Sequence, residues 1–344
     1  SRSAEDALGD TERAIDYARK MAKLVPEHEG AFERLRDLFA REKRWKDLVA
    51  LIDEREVLVS EREDAKKLAL EKAAIYEEHL HDNAAAITAY KKAEAKDPED
   101  DAILSSLLRL YGAEKRHDDL VTVHLKRADL AATPADARPS LIAAAELLEL
   151  EIGDDARAIE LYKRVSDADR GDTLALQALA RLYESEKQHP ALHDVLSLLA
   201  DASEDEKEKL ELRHKIAALT EGPLGDPAAA VDLYLSILDA APDHVPTVKA
   251  LEGLAEAGTE RLRAARALKP RYESRGEWTA FVRVAEVELS ETDAPSDRLA
   301  LLRRIAAVEE RELGQRDKAF VSLQKALESA PQDADTLADL ERLA

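Results

Sequence analysis

A chain of 344 residues with 45% hydrophobic content can build a continuous core, but only 4% is aromatic, so aliphatic and small side chains must pack it. Its 73 acidic and 51 basic residues give a formal net charge of -22, which argues against nucleic acid as a partner because a polyanion would be repelled. The absence of cysteine excludes disulfides, thiol nucleophiles and Cys-ligated metals, and no apolar run approaches the roughly 20 residues a membrane helix needs.

Alanine, leucine, glutamate, arginine and lysine recur throughout, and all are good helix formers. Alternating Val-Ile-Thr runs of the kind that mark strands are missing, so the predicted fold class is all-α. The polar N-terminus, Ser1-Arg2-Ser3-Ala4-Glu5-Asp6, lacks the apolar stretch of a signal peptide. A cytoplasmic location without membrane insertion is the expectation, and the Ala, Arg, Asp and Glu richness has a bacterial style. The negative charge serves either solubility of a long helical surface or attraction of a basic partner.

One short signature returns along the chain. Leu8-Gly9-Asp10 precedes Ala14-Ile15, and Leu80-His81-Asp82 precedes Ala86-Ile87. Ile152-Gly153-Asp154 with Ala158-Ile159 and Leu224-Gly225-Asp226 with Ala230-Val231 follow, so the starts at 9, 81, 153 and 225 are 72 apart. A fifth copy begins at Gly314, with Ala319-Phe320, 89 residues after the fourth. Trp45, His117 and His189 each lie 36 residues after their period start, and Trp278 lies 53 after its own. Each period is thus two halves of about 36 residues, and each half is a helix pair, as in helical solenoids.

Within the units the apolar spacing is helical. Leu176, Leu179, Ala180 and Tyr183 fall at i, i+3, i+4 and i+7, and Leu104, Leu107, Leu108 and Tyr111 repeat this one unit earlier. An Asp or Gly precedes the next helix, sometimes with proline at its first position, as in Asp226-Pro227. Pro26, Pro98, Pro242 and Pro331 stand at equivalent breaks, with Arg170 as the exception.

These residues resemble the tetratricopeptide repeat family. Its first helix is matched by Leu176, Leu179-Ala180 and Tyr183, and its second by Ala86, Tyr90, Ala93 and Pro98, and by Ala230, Tyr234 and Pro242. The resemblance spans nearly the whole chain, strongly in the odd half-units and weakly in even ones such as Leu70 to Tyr76 or Leu141 to Leu148. It implies a right-handed superhelical α-solenoid of antiparallel helix pairs, one continuous array over 1–344 with units starting near 9, 81, 153, 225 and 314. A single pair cannot bury its own apolar stripe, so neighbours bury it for each other, with Ala86 and Ala180 allowing close approach. Both ends look cut. The last helix, from Asp335 to Ala344, offers Leu337, Leu340 and Leu343 with nothing after them, which suggests a segment of a longer protein or an end that meets another chain.

The family uses fixed positions on the first helices, lining its concave face, to meet a ligand. The resemblance carries these onto Glu33 and Asp37, Ser105 and Arg109, Gln177 and Arg181, and Lys249 with Gly253. That face runs from acidic to basic, and no Asn stands there to complete the Lys/Asn clamp that one branch uses for a C-terminal carboxylate. An extended peptide or a helix laid in the groove is the expected mode.

The fourth unit carries 17 extra residues between about Thr259 and Arg275. Leu262, Ala265, Leu268 and Tyr272 keep roughly helical spacing, and Pro270 is expected to end or kink the element. Arg261, Arg263, Arg266, Lys269, Arg271 and Arg275 face only Glu260 and Glu273 in this insertion at 259–275, a local reversal of sign. It reads either as a docking element for an acidic partner or as a helix whose cations pair with the acidic helices beside it.

Enzyme signatures are absent: no GxSxG, GxGxxG or GxxxxGK[ST] run occurs, and 11 glycines leave few phosphate-cradling loops. His189 and His193 have the spacing of a metal pair but no third ligand, and Asp167, Asp169 and Asp172 lack the full calcium-loop spacing. Arg170-Gly171-Asp172 lies at a repeat turn and reads as a chance tripeptide, while Trp45 and Trp278 read as packing residues. The expectation is a non-catalytic interaction scaffold or adaptor for a protein or peptide, without metal or cofactor. The alternatives are a structural spacer that associates end to end, or a regulatory region of a larger signalling, motility or secretion protein.

Overall fold

The computed structural model describes residues 2–26 and 28–344, with side chains from residue 11 onward. The chain is helical throughout, with no strand among the described residues. Its contacts divide it into two compact units, Ser1–Ala168 and Asp169–Ala344.

The first unit contains α1 (Arg2–Leu24), α2 (Glu29–Arg41), α3 (Trp45–Glu56), α4 (Arg62–Ile75), α5 (Asn83–Lys96), α6 (Asp101–Ala113), α7 (His117–Leu130), α8 (Pro134–Leu147) and α9 (Asp155–Ala168). Each helix packs on the next, and alternate helices form rows. In one row Arg19 of α1 meets Asp47 of α3 at 3.2 Å, and Lys92 of α5 meets Glu56 of α3 at 2.8 Å. The same row continues where Lys126 of α7 meets Glu94 of α5 at 2.6 Å and Arg164 of α9 meets Asp129 of α7 at 3.2 Å. Between the rows lie residues small enough for close approach, such as Ala73, Ala86, Ala93 and Ala144, and large ones such as Leu107 and Ile52 that fill the gaps.

The recurring signature has a direct structural meaning. After α4 the helix widens into a π-turn over Tyr76–Leu80, and after α8 into another over Leu148–Ile152. His81 and Gly153 then take the left-handed conformation, as does Gly225 in the second unit, and glycine does so at no steric cost. The next residue, Asp, sends its N–H back to Tyr76, Leu148 or Thr220 at 2.8–2.9 Å. Its side chain accepts from the backbone N–H of Ala85, Arg157 or Ala229 at 2.9–3.1 Å, capping the following helix. Gly-Asp therefore encodes a helix stop and the next helix start in two residues. The first copy, Leu8-Gly9-Asp10, does not act this way: α1 runs through it unbroken from Arg2 to Leu24, so no unit starts near residue 9.

The second unit contains α10 (Thr173–Ser185), α11 (His189–Ala202), α12 (Glu206–Glu221), α13 (Pro227–Ala240), α14 (Val245–Ala257), α15 (Arg261–Arg275), α16 (Trp278–Ser290), α17 (Pro295–Arg311), α18 (Arg316–Ser329) and α19 (Ala334–Leu343). The basic insertion is α15, a helix of its own. It runs through Pro270 to Arg275 instead of ending there, with the proline ring on its exposed side. It closes with the turn that ends α2, α6 and α10. Gly276 is left-handed like Lys43, Lys115 and Lys187, and Glu277 donates its N–H to Tyr272 O at 2.9 Å, as Gln188 does to Tyr183.

One added helix shifts every later helix into the other row. α15 lies in the row of α13, where Arg263 reaches Asp232, and α16 lies in the row of α14, where Arg283 meets Glu252 at 3.1 Å. At the end of this unit Leu340 and Leu343 of α19 pack on Ala306, Ala319 and Leu323, while Leu337 is exposed.

Candidate protein-binding site

The eight positions on the first helices fall in both units, and each unit arranges its own set. In the first, Glu33 is half-buried on α2 and pairs with Arg36 at 2.7 Å, while Asp37 is exposed. Arg36 also approaches Glu71 of α4 at 3.9 Å. Burial pushes the Glu71 carboxyl up, Arg36 opposes this, and Glu33 adds to it. Ser105 and Arg109 are exposed on α6, and Arg109 pairs with Glu77 from the turn after α4. So α4 contributes Glu71 and the turn after it Glu77, residues that the weak repeat motif there did not point to.

In the second unit Gln177 and Arg181 of α10 line one wall of a slot of about 490 Å³. The other wall is α12, with Glu208, Leu212, Lys215 and Ala218, and the floor is made by Leu192, Leu196 and Leu199 of α11. Ala180 and Ala218 both line the slot, and their short side chains leave space that larger residues would fill. Its chemistry is that of an apolar receptor with a mixed polar rim: leucines below, Arg181 and Lys215 as cations, Glu184 and Glu208 as carboxylates. Lys249 is exposed on α14 and does not line the slot, and Gly253 is exposed with open space where a Cβ would stand.

The cations of α15 are engaged within the unit. Arg263 pairs with Asp232 and with Glu260 at 3.4 Å, and Arg271 meets Asp243 at 3.3 Å. Arg275 pairs with Asp243 and with Glu277 at 2.8 Å, and Arg261 donates to the carbonyl of Ala255 at 3.3 Å. Arg266, at 3.0 Å, and Lys269 both hold Glu288, which is buried on α16. Burial alone would push the Glu288 carboxyl up, but these two cations outweigh it and hold the group below its ordinary range.

Asp172 accepts from the N–H of Ala175 at 3.0 Å and so caps α10, and Asp169 accepts from Gly171 at 2.9 Å, so this acidic run organises a helix start. His193 lies 3.5 Å from Asp194, and Trp45 stacks on His79 with ring centroids 3.7 Å apart. Among the described residues no group of three or more His, Cys, Asp or Glu is placed to hold a metal ion. No described helix is long and apolar enough to cross a membrane.

No family model matches the chain, and no curated protein does. Among solved structures it is similar to Naa15/Naa10 bound to HypK-THB, at 16% identity and TM-score 0.40, over 99% of this chain and 60% of that one. It thus spans 60% of that relative's length, less than two thirds. It is also similar to YrrB, a TPR protein with an unusual peptide-binding site, at 11% identity and TM-score 0.30, over 54% of this chain and 91% of that one. A tetratricopeptide repeat protein from Parabacteroides merdae gives 14% identity and TM-score 0.32, over 81% and 98% of the two chains. The stacked helix pairs, the 72-residue period and the shared turn chemistry define the class of this protein: an all-α helical-repeat array.

Proposed function

We propose that this chain is a non-catalytic scaffold that holds a segment of another protein in the slot between α10 and α12. The observation that carries this reading is the leucine floor beneath a rim of Gln177, Arg181 and Lys215. A large apolar side chain of the partner fills the slot, and its flanking polar groups meet the rim, so affinity comes from burial and register from charge. Lys249 is exposed on α14 of the same unit, while Glu33, Asp37, Ser105 and Arg109 lie on the first unit.

The test is affinity capture from the native lysate with three proteins: the unaltered chain, Ala218→Trp, and Arg181→Glu with Lys249→Glu. Ala218 is exposed on the slot wall, so tryptophan fills the space without entering the core. A partner retained by the unaltered chain and lost by both variants supports the reading. A partner retained by Ala218→Trp overturns the slot, and a chain that captures nothing points to a structural spacer instead.

A further inference from the structure

A second cleft lies on the first unit, between α1 and α3 with α2 as its floor, and has a volume of about 670 Å³. Phe32, Leu35 and Phe39 form the base. The Arg19 guanidinium lies 5.3 Å from the Phe39 ring centroid and that of Arg55 lies 5.4 Å from Phe32, so the cations crown an aromatic floor. Val57 and Leu58 line the cleft and are exposed, Val57 at 86%, and Leu24 and Val25, which follow Lys23 in the chain, are exposed as well.

The repeat itself supplies the control, because every position here has a counterpart 72 residues later. Ala22, Val25 and Val57 correspond to Glu94, Asp97 and Asp129. In the later period each of those carboxylates is ion-paired: Glu94 with Lys126 at 2.6 Å, Asp97 with Lys66 at 2.6 Å, and Asp129 with Arg164 at 3.2 Å. The Glu94–Lys126 pair links α5 to α7 across the place where the earlier period is open. There, Ala22 is too short to reach α3, and the counterpart of Lys126 is Glu54. The architecture therefore does not require an open, apolar cleft, because the next period closes it with charge.

Substituting three carboxylates by apolar residues also changes the local sign. Arg19, Lys23 and Arg55 line the cleft against Asp47 and Glu54, within a chain of net charge -22. Asp47 is already taken, held by Arg44 at 2.7 Å as well as by Arg19, and the Arg44 bond keeps its carboxyl below the ordinary range.

We infer that the α1–α3 cleft is a docking site for an acidic peptide segment of a partner protein that inserts large apolar side chains over Phe32 and Phe39. Its carboxylates meet Lys23 and Arg55, and its apolar anchors cover Leu24 and Val57. Helix or strand, such a segment gains most from the aromatic floor, where burial and cation–π contact act together. This site is independent of the slot on the second unit.

The experiment uses a closure that the fold already employs. The double variant Ala22→Glu with Glu54→Lys installs the Glu94–Lys126 pair at the matching positions. Displayed random peptides are selected on the unaltered chain and counter-selected on the double variant, and the enriched peptides are measured by fluorescence anisotropy. The expected consensus is acidic with leucine or aromatic anchors. Its binding falls by about tenfold or more in the double variant and is unchanged in Ala218→Trp. Matching circular dichroism and melting curves establish that the double variant is folded. A basic or featureless consensus, no enrichment, or equal binding to the double variant overturns the proposal. So does a concentration-dependent dimer that the double variant abolishes, because the occupant is then a second copy of this chain.

Discussion

The phenolic hydroxyl of Tyr234 donates to the Glu221 carboxylate at 2.8 Å, from a side chain that is 1% exposed. The same bond recurs between Tyr162 and Glu149 at 3.2 Å and between Tyr90 and Glu77 at 3.3 Å, always 13 residues apart. It links the last turn before each Gly-Asp or His-Asp signature to the helix that follows, so the period repeats a buried polar contact as well as an apolar stripe. A buried phenol needs a partner, and the recurring glutamate supplies one. Removing one side strands the other: Tyr234→Phe or Glu221→Ala should cost about 1–2 kcal/mol in chemical denaturation. Burial, and then Glu221, push the Tyr234 phenol above its ordinary range. A raised folded value means that the stabilisation is complete below the free tyrosine value of about 10 and is lost as pH rises beyond it. Denaturation midpoints should therefore fall above about pH 10 less steeply in Tyr234→Phe than in the unaltered protein.

Acid should act through a different group in the same unit. The buried Thr247 hydroxyl lies 3.2 Å from Nδ1 of His214 and 2.8 Å from Nδ1 of His244. One hydroxyl can donate to one ring and accept from the other, so a single buried side chain ties His214 to His244. Burial, and then the neighbouring His244, lower the His214 value, with Glu221 opposing. A lowered folded value means that the stabilisation is present above the free histidine value of about 6.5 and is lost as pH falls below it. His214→Asn should flatten this part of the acid limb, as seen in melting temperatures from pH 8 to about 5.5. An unchanged slope would remove His214 as its source.

Glu288 offers a charge test inside the fold. It is buried on α16 between Arg266 and Lys269 of α15, and these cations hold its carboxyl below the ordinary range despite the burial. Glu288→Gln keeps the shape but leaves two cations facing a neutral amide, so unfolding at pH 7 should become easier by about 2 kcal/mol. Because the folded value is lowered, the contribution exists above the free glutamate value of about 4.3 and disappears as pH falls through the folded value. The urea midpoints of the variant and the unaltered chain should therefore draw together as pH falls below about 4.3.

The legible part of this fold is the part written in turns. Gly153-Asp154 and Gly225-Asp226 announce a left-handed stop and an N-cap, and Tyr183, Lys187 and His189 mark the turn between α10 and α11. The even helices are harder to read because two of them, α4 and α8, run into π-turns that break a strict 3.6-residue stripe. Gln177 and Arg181 came from the resemblance of α10 to a repeat's first helix, whereas Leu212 and Lys215 stand on α12, where no such match pointed to them. The α1–α3 cleft leaves almost no local mark, since it depends on what Ala22 fails to reach. It emerges only when Ala22 is set against Glu94 one period later.

The row exchange after α14 can be tested with the chain's lack of cysteine. α13 and α15 run parallel, because Arg263 meets Ala228 and Asp232 near the start of α13 while Arg271 meets Asp243 just past its end. Since α16 turns back from α15, Glu277 lies at the far end of α13 from Ala228, about 20 Å away for a helix of this length. Deleting residues 259–275 places Gly276 four residues after Ala255 and Trp278 six after it, the spacing of Tyr111, Lys115 and His117. The deleted chain then has the register of an unbroken repeat. α16 should take the row and direction of α13, with Ala228 and Glu277 in the places of Glu12 and Arg44, which meet at 2.8 Å. Cysteines introduced as Ala228→Cys and Glu277→Cys should be joined by a short bismaleimide in the deleted chain and not in the full one. Crosslinking in the full chain, or its failure in a deleted chain that remains helical, would show that α15 does not exchange the rows.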